Sequence, residues 1–370
     1  MMSAHVHSAW MEIDLRCYRR NLAAIWAGKP ARTEIALVIK DDAYGHGASR
    51  IAQAAGEFGP AFFAVAAVRE GIELRNAGVS RRILVLGERI PDEVEMCLRH
   101  ELTPCIGTLE MLRAFSSSSA EPGFPVHLKI DSGMSRYGLR PPQWREASEI
   151  LAGSSLCVEG MLSHFAQSDE TDKTFARRQL QSFGEAAAFF TKRGIHPKYL
   201  HMANSGGFLD LPEAHFDLVR IGILAAGVYP SKVCARQPAV EPAMSVKARI
   251  VTLKEIAAGD HVGYGMRYTA TRPTRVAVLP IGYGMGFPRV RNEGCVLVHG
   301  KRAPIIGGVS MDAITVDVTA IAEARLWDVA TIMGKDGTEE IDIHELAALK
   351  RSVSYDVAVS WQRLPRVYLE

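Results

Sequence analysis

The chain has 370 residues, of which 48% are hydrophobic and 23% are charged, and its formal net charge is +2. This length favours two domains, and the near-neutral charge without a Lys/Arg run argues against nucleic acid or a membrane surface as a partner. The six cysteines have no paired spacing and no segment matches a signal peptide or a membrane helix, so we expect a cytoplasmic protein without a metal site.

The first two-thirds of the chain alternates between strand-like and helical patterns. Eight apolar runs lie at residues 35–40, 63–68, 82–87, 103–106, 125–130, 158–163, 199–203 and 217–223. Helical patterns follow most of them; Thr108 is placed to cap one helix and Gly194 to end another. Eight β–α units in this length predict an α/β fold, a closed (β/α)8 barrel of the TIM type.

The pattern changes after about residue 240. Short strands and turns replace helices, with apolar runs at residues 276–281, 295–299, 314–318 and 328–333. The sequence therefore predicts a barrel domain over residues 1–240 and a C-terminal, mostly antiparallel β domain over residues 241–370. The alternating segment Trp10–Leu15 makes residues of about 8–15 a candidate strand of that β domain.

Chemically distinctive residues follow several of the predicted barrel strands, whose C-terminal ends form the mouth in such folds. They are Lys40 and Tyr44 after the first run, Asp131 and Arg136 after the fifth, His164 after the sixth, His201, Asn204 and Ser205 after the seventh, and Arg220 and Gly222 at the eighth. Taken singly, each has an ordinary explanation as a solvated cation, a core histidine or a turn. Their shared position at one mouth is what indicates a site.

A lysine at the end of a buried strand can react with an aldehyde to form a Schiff base. The small residues of Asn204–Gly207 and Gly222–Ile223 allow backbone N–H groups to face a phosphate, which barrels often bind after strands seven and eight. An amine and a phosphate cradle at one mouth together predict pyridoxal 5′-phosphate as cofactor.

Longer motifs resemble those of the alanine racemases, over nearly the whole chain from Glu12 to Tyr368. They are Lys40-Asp-Asp-Ala-Tyr-Gly-His-Gly, Lys129-Ile-Asp-Ser-Gly-Met-Ser-Arg136, His201-Met-Ala-Asn-Ser205, Arg220-Ile-Gly-Ile223, Gly263-Tyr264-Gly, Leu279-Pro-Ile-Gly-Tyr283 and Val309-Ser-Met311-Asp312. The resemblance implies a racemase that interconverts L- and D-alanine with pyridoxal 5′-phosphate.

The resemblance also implies residue roles. Lys40 would carry the cofactor and act as one base, and Tyr264 would be the second base, on the opposite face, contributed by the partner subunit of a homodimer. Cofactor contacts would come from Tyr44, Arg136, His164, Asn204, Ser205, Arg220, Gly222 and Ile223. The small amino-acid substrate would meet Arg136, Met311, Asp312 and Tyr283, and Lys129 aligns with a lysine that family members often carry as a carbamate.

Some positions depart from the family's common pattern. Gly284-Met285-Gly286 lacks an acidic residue, Gly308 stands where an arginine is common, and the segment from Tyr355 looks one residue short. These departures leave open a racemase of serine or a larger amino acid. A decarboxylase of the same architecture would need a carboxylate where Arg220 stands. A cofactor-binding module without turnover and a metal hydrolase using His46, His164 and His201 are the remaining alternatives.

Overall fold

The computed structural model describes residues 6–118 and 121–370. It separates into two compact units. One is Arg19–Val240, and the other combines the described residues up to Tyr18 with Glu241–Glu370.

The first unit is the predicted barrel, and all eight predicted strands are present. They are Glu34–Val38, Phe62–Val65, Ile83–Val85, Leu102–Ile106, Pro125–Lys129, Cys157–Leu162, Tyr199–His201 and Leu218–Ile221. The first seven pair in parallel in sequence order, and the first also pairs in parallel with the eighth. Backbone N–H groups of Asp217 and Arg220 donate to the carbonyls of Leu200 and Ala203 and join the eighth strand to the seventh. The barrel prediction is confirmed.

One helix precedes the first barrel strand and others connect the strands. The helices are Leu15–Gly28, Ala48–Ala55, Val68–Asn76, Val94–Arg99, Leu109–Ser117, Pro141–Ala152, Thr174–Thr191 and Ser205–Asp210. The Thr108 hydroxyl caps its helix by accepting from the Met111 N–H at 3.2 Å. Gly194 adopts φ 80° just beyond the long helix, as the sequence predicted for a C-terminal glycine.

The barrel interior is filled by apolar side chains from successive strands. Ala36, Phe62 and Leu84 are fully buried. Strands buried on both faces read as continuous apolar runs, which is why the sequence pattern located them. The C-terminal strand ends are where the following loops bring polar side chains together in folds of this kind.

The second unit is built from short strands. They are Ala9–Asp14, Met244–Arg249, Thr252–Ile256, His261–Val262, Tyr268–Thr269, Thr274–Leu279, Cys295–Val298, Lys301–Pro304, Ile314–Asp317, Val329–Asp336, Glu339–Ile341 and Arg366–Leu369. Helices Ile343–Lys350 and Ser354–Ser360 complete it. The N-terminal strand pairs antiparallel with Met244–Arg249 and parallel with Arg366–Leu369, and the other pairings are antiparallel.

Within residues 6–118 and 121–370, no helix has both the length and the apolar character that crossing a bilayer requires.

Candidate active site

Lys40 lies two residues beyond the first barrel strand, at the start of a left-handed turn. Asp41 to Tyr44 all adopt φ between 51° and 54°, a conformation that costs roughly 1–2 kcal/mol for each residue other than glycine. Two carboxylates hold this strained segment. Glu70 accepts from the Asp41 N–H at 2.5 Å, and Asp42 accepts from the Ala48 N–H at 2.7 Å. Strain of this kind is retained where surrounding contacts fix it, typically at functional sites.

The turn brings Tyr44 against the eighth strand. A Cβ atom at Gly222 would lie 2.3 Å from the Tyr44 hydroxyl oxygen, so only glycine permits this approach. The Ser205 hydroxyl oxygen accepts from the Gly222 N–H at 3.2 Å. Tyr44, Ser205 and Gly222 are therefore brought together as predicted, and Ile223 directly follows Gly222.

The Asn204 side chain forms hydrogen bonds near the start of its own helix. Its Oδ1 accepts from the Gly207 N–H at 2.9 Å, which caps the short helix Ser205–Asp210, and from the Ser168 hydroxyl at 2.8 Å. These bonds fix the backbone from which the Ser205 side chain extends.

Arg220 is the most heavily hydrogen-bonded cation of the mouth, and only 3% of it is exposed. Its guanidinium donates to Nδ1 of His201 and to Nδ1 of His164, each at 3.0 Å. It also donates to the carbonyls of His201, Ser163 and Met202 at 3.1, 2.7 and 3.0 Å. Burial lowers the pKa of Arg220 to about 10, so the side chain stays cationic at neutral pH.

The two histidines that accept from Arg220 are neutral. Burial, followed by the charges of nearby cations, places the pKa of His164 and of His201 well below the ordinary value. For His164 those cations are Arg220, Lys129, Arg136 and Lys40, which come from the eighth, fifth and first barrel strands and the segments that follow them. The barrel thus gathers the predicted cations around one imidazole.

Lys129 ends the fifth barrel strand, and Arg136 lies in the segment that follows it. Lys129 is buried and donates to the Leu86 carbonyl at 3.1 Å, and burial is the main reason that its pKa falls to about 8. Both cations lie near the Tyr137 ring, at 5.0 Å for Lys129 and 5.6 Å for Arg136. Asp131 holds the intervening turn by accepting from the N–H groups of Gly133 and Ser135.

The predicted residues of the β domain form a second cluster. Tyr264 directly follows Gly263, where a Cβ atom would lie 3.2 Å from the Gly308 nitrogen. The Tyr283 N–H donates to the Ser310 carbonyl at 3.1 Å, and the Gly284 N–H donates to the Met311 carbonyl at 2.9 Å. The motifs around Tyr264, Tyr283 and Met311-Asp312 are thereby adjacent. Tyr264 is 82% exposed and Met311 55%.

Sequence reasoning missed three residues that organise the mouth. Glu70 accepts from the N–H groups of Asp41, Ala66 and Ala67, Ser163 provides a carbonyl for Arg220, and His127 contacts His201. Two sequence features could have identified two of them. Glu70 stands three residues after the helix N-cap Ala67, the position from which a glutamate accepts from the N-cap N–H. His127 lies two residues before Lys129 on one strand, so both side chains point to the same face.

Across the described part of the chain, no group of three or more His, Cys, Asp or Glu side chains is arranged to hold a metal ion. The Nδ1 atom of His46, one ligand of the metal-hydrolase alternative, lies 2.9 Å from the Ala43 carbonyl oxygen.

Comparisons with known sequences agree along the whole chain. Residues 13–230 match the alanine racemase N-terminal domain, and residues 243–368 match the alanine racemase C-terminal domain. An alanine racemase of Syntrophobacter fumaroxidans is 40% identical over 357 residues, covering 95% of each chain. An alanine racemase of Carboxydothermus hydrogenoformans is 38% identical, covering 97% of this chain and 99% of the relative.

Solved structures agree as well. An alanine racemase of Clostridium difficile has a TM-score of 0.93 at 31% identity, covering 98% of this chain and 96% of that one. An alanine racemase of Bacillus anthracis with bound L-Ala-P has a TM-score of 0.93 at 31% identity, covering 98% and 95%. The chain therefore belongs to the alanine racemase family, isomerases that depend on pyridoxal 5′-phosphate.

Proposed function

We propose that this chain interconverts L- and D-alanine with Lys40 and Tyr264 as two bases on opposite sides of the substrate. The observation that carries this proposal is the cationic barrel mouth. A buried guanidinium, Arg220, occupies the eighth strand where a decarboxylase would need a carboxylate, and the amine of Lys40 stands at the end of the first. The relatives named alanine racemase supply the substrate.

The residues of the mouth fit pyridoxal 5′-phosphate. The glycine at 222 leaves the space beside the Tyr44 hydroxyl that a Cβ atom would fill, and the Ser205 hydroxyl lies at the same place. These groups and the N–H of Ile223 would hold the phosphate, Lys40 Nζ would hold the aldehyde carbon, and Arg220 would face the pyridine nitrogen. The cofactor supplies an electron sink that makes the α-proton of an amino acid acidic.

Side chains of the protein carry out the proton transfers. Racemisation removes a proton from one face of the α-carbon and returns one to the other face, which two positioned bases do directly. Lys40 Nζ would serve one face and Tyr264 Oη the other. Arg220, as a permanent cation beside the pyridine nitrogen, would keep that nitrogen unprotonated and so limit the electron sink, which disfavours transamination.

His164 would activate Tyr264. Arg220 only donates, so Nδ1 of His164 accepts and its ring proton sits on Nε2. That Nε2–H group is the donor available to a phenolate oxygen. A hydrogen bond to the charged form lowers the pKa of a tyrosine.

Lys129 is a candidate for carbamylation, because a pKa of about 8 leaves a substantial neutral fraction of its amine. The amine would add to carbon dioxide, forming an N–C bond and releasing one proton, and the carbamate would hold Arg136 for the substrate carboxylate. A carbamate carbon seen by NMR under ¹³C-labelled carbon dioxide, and lost in Lys129→Arg, is the expected result. If the unsubstituted protein shows no carbamate signal, Lys129 does not have this role.

We also propose that the functional unit is a homodimer in which Tyr264, Met311, Asp312 and Tyr283 of one protomer meet the barrel mouth of its partner. The exposure of Tyr264, Met266 and Met311 supports this, because clustered exposed apolar side chains mark association surfaces.

The absence of paired cysteine spacing favours the cytoplasm as the compartment. The proposed domain boundary is residue 240.

Purified protein loaded with cofactor tests the function directly. We expect loss of optical rotation with L-alanine and with D-alanine, and borohydride reduction followed by peptide mapping should place the cofactor on Lys40. Turnover of L-serine or larger amino acids in preference to alanine would favour the broader racemase, which the missing side chain at Gly284 beside Met311 also permits. Carbon dioxide release from ornithine or lysine would contradict the proposal.

A further inference from the structure

A chain of buried polar groups continues from Arg220 into the barrel interior, away from the mouth. His201, which accepts from Arg220, has its Nε2 atom 2.8 Å from Nδ1 of His127. Nε2 of His127 lies 3.7 Å from the carboxylate of Glu159, which pairs with Arg82. His127 and His201 are both fully buried. The proposed function uses none of His127, Glu159 and Arg82.

Hydrogen-bond chemistry fixes the direction of this chain. A guanidinium has donors only, so Nδ1 of His201 accepts and its single proton is on Nε2. That proton points at Nδ1 of His127, which must then accept as well. The proton of His127 is left on Nε2, on the side of Glu159, where the 3.7 Å separation makes the contact electrostatic rather than a short hydrogen bond.

The reverse arrangement is unfavourable at each step. A proton on Nδ1 of His127 would face the Nε2–H group of His201, and moving the His201 proton to Nδ1 would face the Arg220 donor. Burial lowers the pKa of both imidazoles, so neither escapes the conflict by becoming a cation.

The barrel is shaped around His127. A Cβ atom at position 160 would lie 2.4 Å from Nδ1 of His127, so Gly160 leaves the space that the ring fills. The ring also contacts Phe62 edge-on at 5.3 Å between centroids, and Arg82 lies 4.3 Å above the Phe62 ring. The position of the imidazole is thus fixed from several strands.

We propose that His127, backed by Glu159, is a positioning residue that holds His201 in the Nε2–H form and so keeps an acceptor in place for Arg220. The role rests on the proposed function only insofar as Arg220 faces the cofactor. The proton positions themselves are a property of the cofactor-free protein.

Nitrogen NMR of histidine-labelled, cofactor-free protein reads these positions directly. We expect His127 and His201 each to be neutral with the proton on Nε2 at pH 7.5, with signals assigned by their loss in the corresponding variants. A His201 proton on Nδ1, or a charged His201, would overturn the proposal whether or not the protein proves to be a racemase. The unsubstituted chain suffices for this result.

Two substitutions separate positioning from packing. His127→Phe keeps an aromatic ring but removes the acceptor, whereas His127→Asn loses volume but places an oxygen near the former Nδ1. We expect Phe to disturb the Nε2–H form of His201 and to raise transamination per racemisation turnover by about fivefold, the usual effect of one hydrogen bond. Asn should stay close to the unsubstituted protein in both measurements.

His215→Asn is the matched control, because His215 is also a buried barrel histidine but donates its Nε2–H to the Phe208 carbonyl, outside this chain of groups. This variant should leave the His201 nitrogen signals and the ratio of transamination to racemisation unchanged. The proposal fails if the Phe variant leaves both unchanged, or if Asn disturbs them more than Phe, which is the order that a packing role predicts.

Discussion

The two clusters of proposed site residues differ in how they are held. Arg220 in the barrel is 3% exposed and donates to five acceptors, whereas Tyr264 in the β domain is 82% exposed. A buried group fixed by many hydrogen bonds is preorganised for electrostatic work within its own chain. An exposed tyrosine needs another surface to enclose it. We infer that one chain completes the barrel cluster, while the β-domain cluster is completed by a partner.

The largest effect is expected at the barrel amine. Lys40→Ala should abolish cofactor attachment and lower racemisation by at least about 10⁴-fold, the upper end of what one acid–base group contributes. Absorbance of the bound cofactor and turnover of both alanine isomers measure it. Lys192→Ala, an exposed lysine beyond the long barrel helix, serves as the control and should retain activity. Normal cofactor attachment in Lys40→Ala would contradict the assignment.

The exposed cluster should give a direction-dependent effect. Tyr264→Phe should slow removal of the α-proton by about 10²–10⁴-fold, and the loss should be larger for the L-isomer, whose α-proton would face Tyr264. Because the equilibrium between enantiomers is fixed, single-turnover α-proton exchange in heavy water must be measured for each isomer. Tyr268→Phe, on the neighbouring strand, is the control. Equal losses for both isomers would count against two bases.

A smaller effect is expected from the charge beside the pyridine nitrogen. Arg220→Glu should raise transamination relative to racemisation by on the order of tenfold, which corresponds to ~1.4 kcal/mol. Arg220→Lys keeps the cation and should change this ratio less. Product analysis after many turnovers, on variants shown to be folded, gives the ratio. An unchanged ratio in Arg220→Glu would remove the proposed role of the guanidinium.

The smallest effect is a difference in acid stability between the units. His127, His164 and His201 have folded-state pKa values below the unfolded value, so the unfolded chain binds more protons as the pH falls below about 6.5. Each then lowers the free energy of unfolding by up to about 1.4 kcal/mol per pH unit.

Glu159 adds to this loss at lower pH. Burial alone would raise its pKa, but contacts with His127 and Arg82 lower it to about 2, so its contribution is lost as the pH falls from about 4.5. Hydrogen exchange corrected for intrinsic rates, compared at pH 7.5 and 5, should show larger loss of protection in Arg19–Val240 than in Glu241–Glu370. Equal loss in both units would contradict this interpretation.

The sequence predicted the barrel because its strands are buried on both faces and are followed by helical patterns. It also located Lys40, Arg220 and the β-domain motifs. The left-handed turn from Asp41 to Tyr44 could not be predicted, since Asp, Ala and Tyr seldom adopt positive φ and the conformation depends on contacts such as the one with Glu70. His127 escaped notice because its role arises only when separate strands bring it to His201.

Mixing two inactive variants tests the comparison most directly. If the site is shared, a heterodimer of Lys40→Ala and Tyr264→Phe protomers contains one site with both bases intact. Unfolding and refolding the variants together should then restore about a quarter of the activity of the unsubstituted protein, because half of the dimers are mixed and each has one working site. No recovery in a mixture shown to contain heterodimers would mean that both bases come from one chain and would contradict the account.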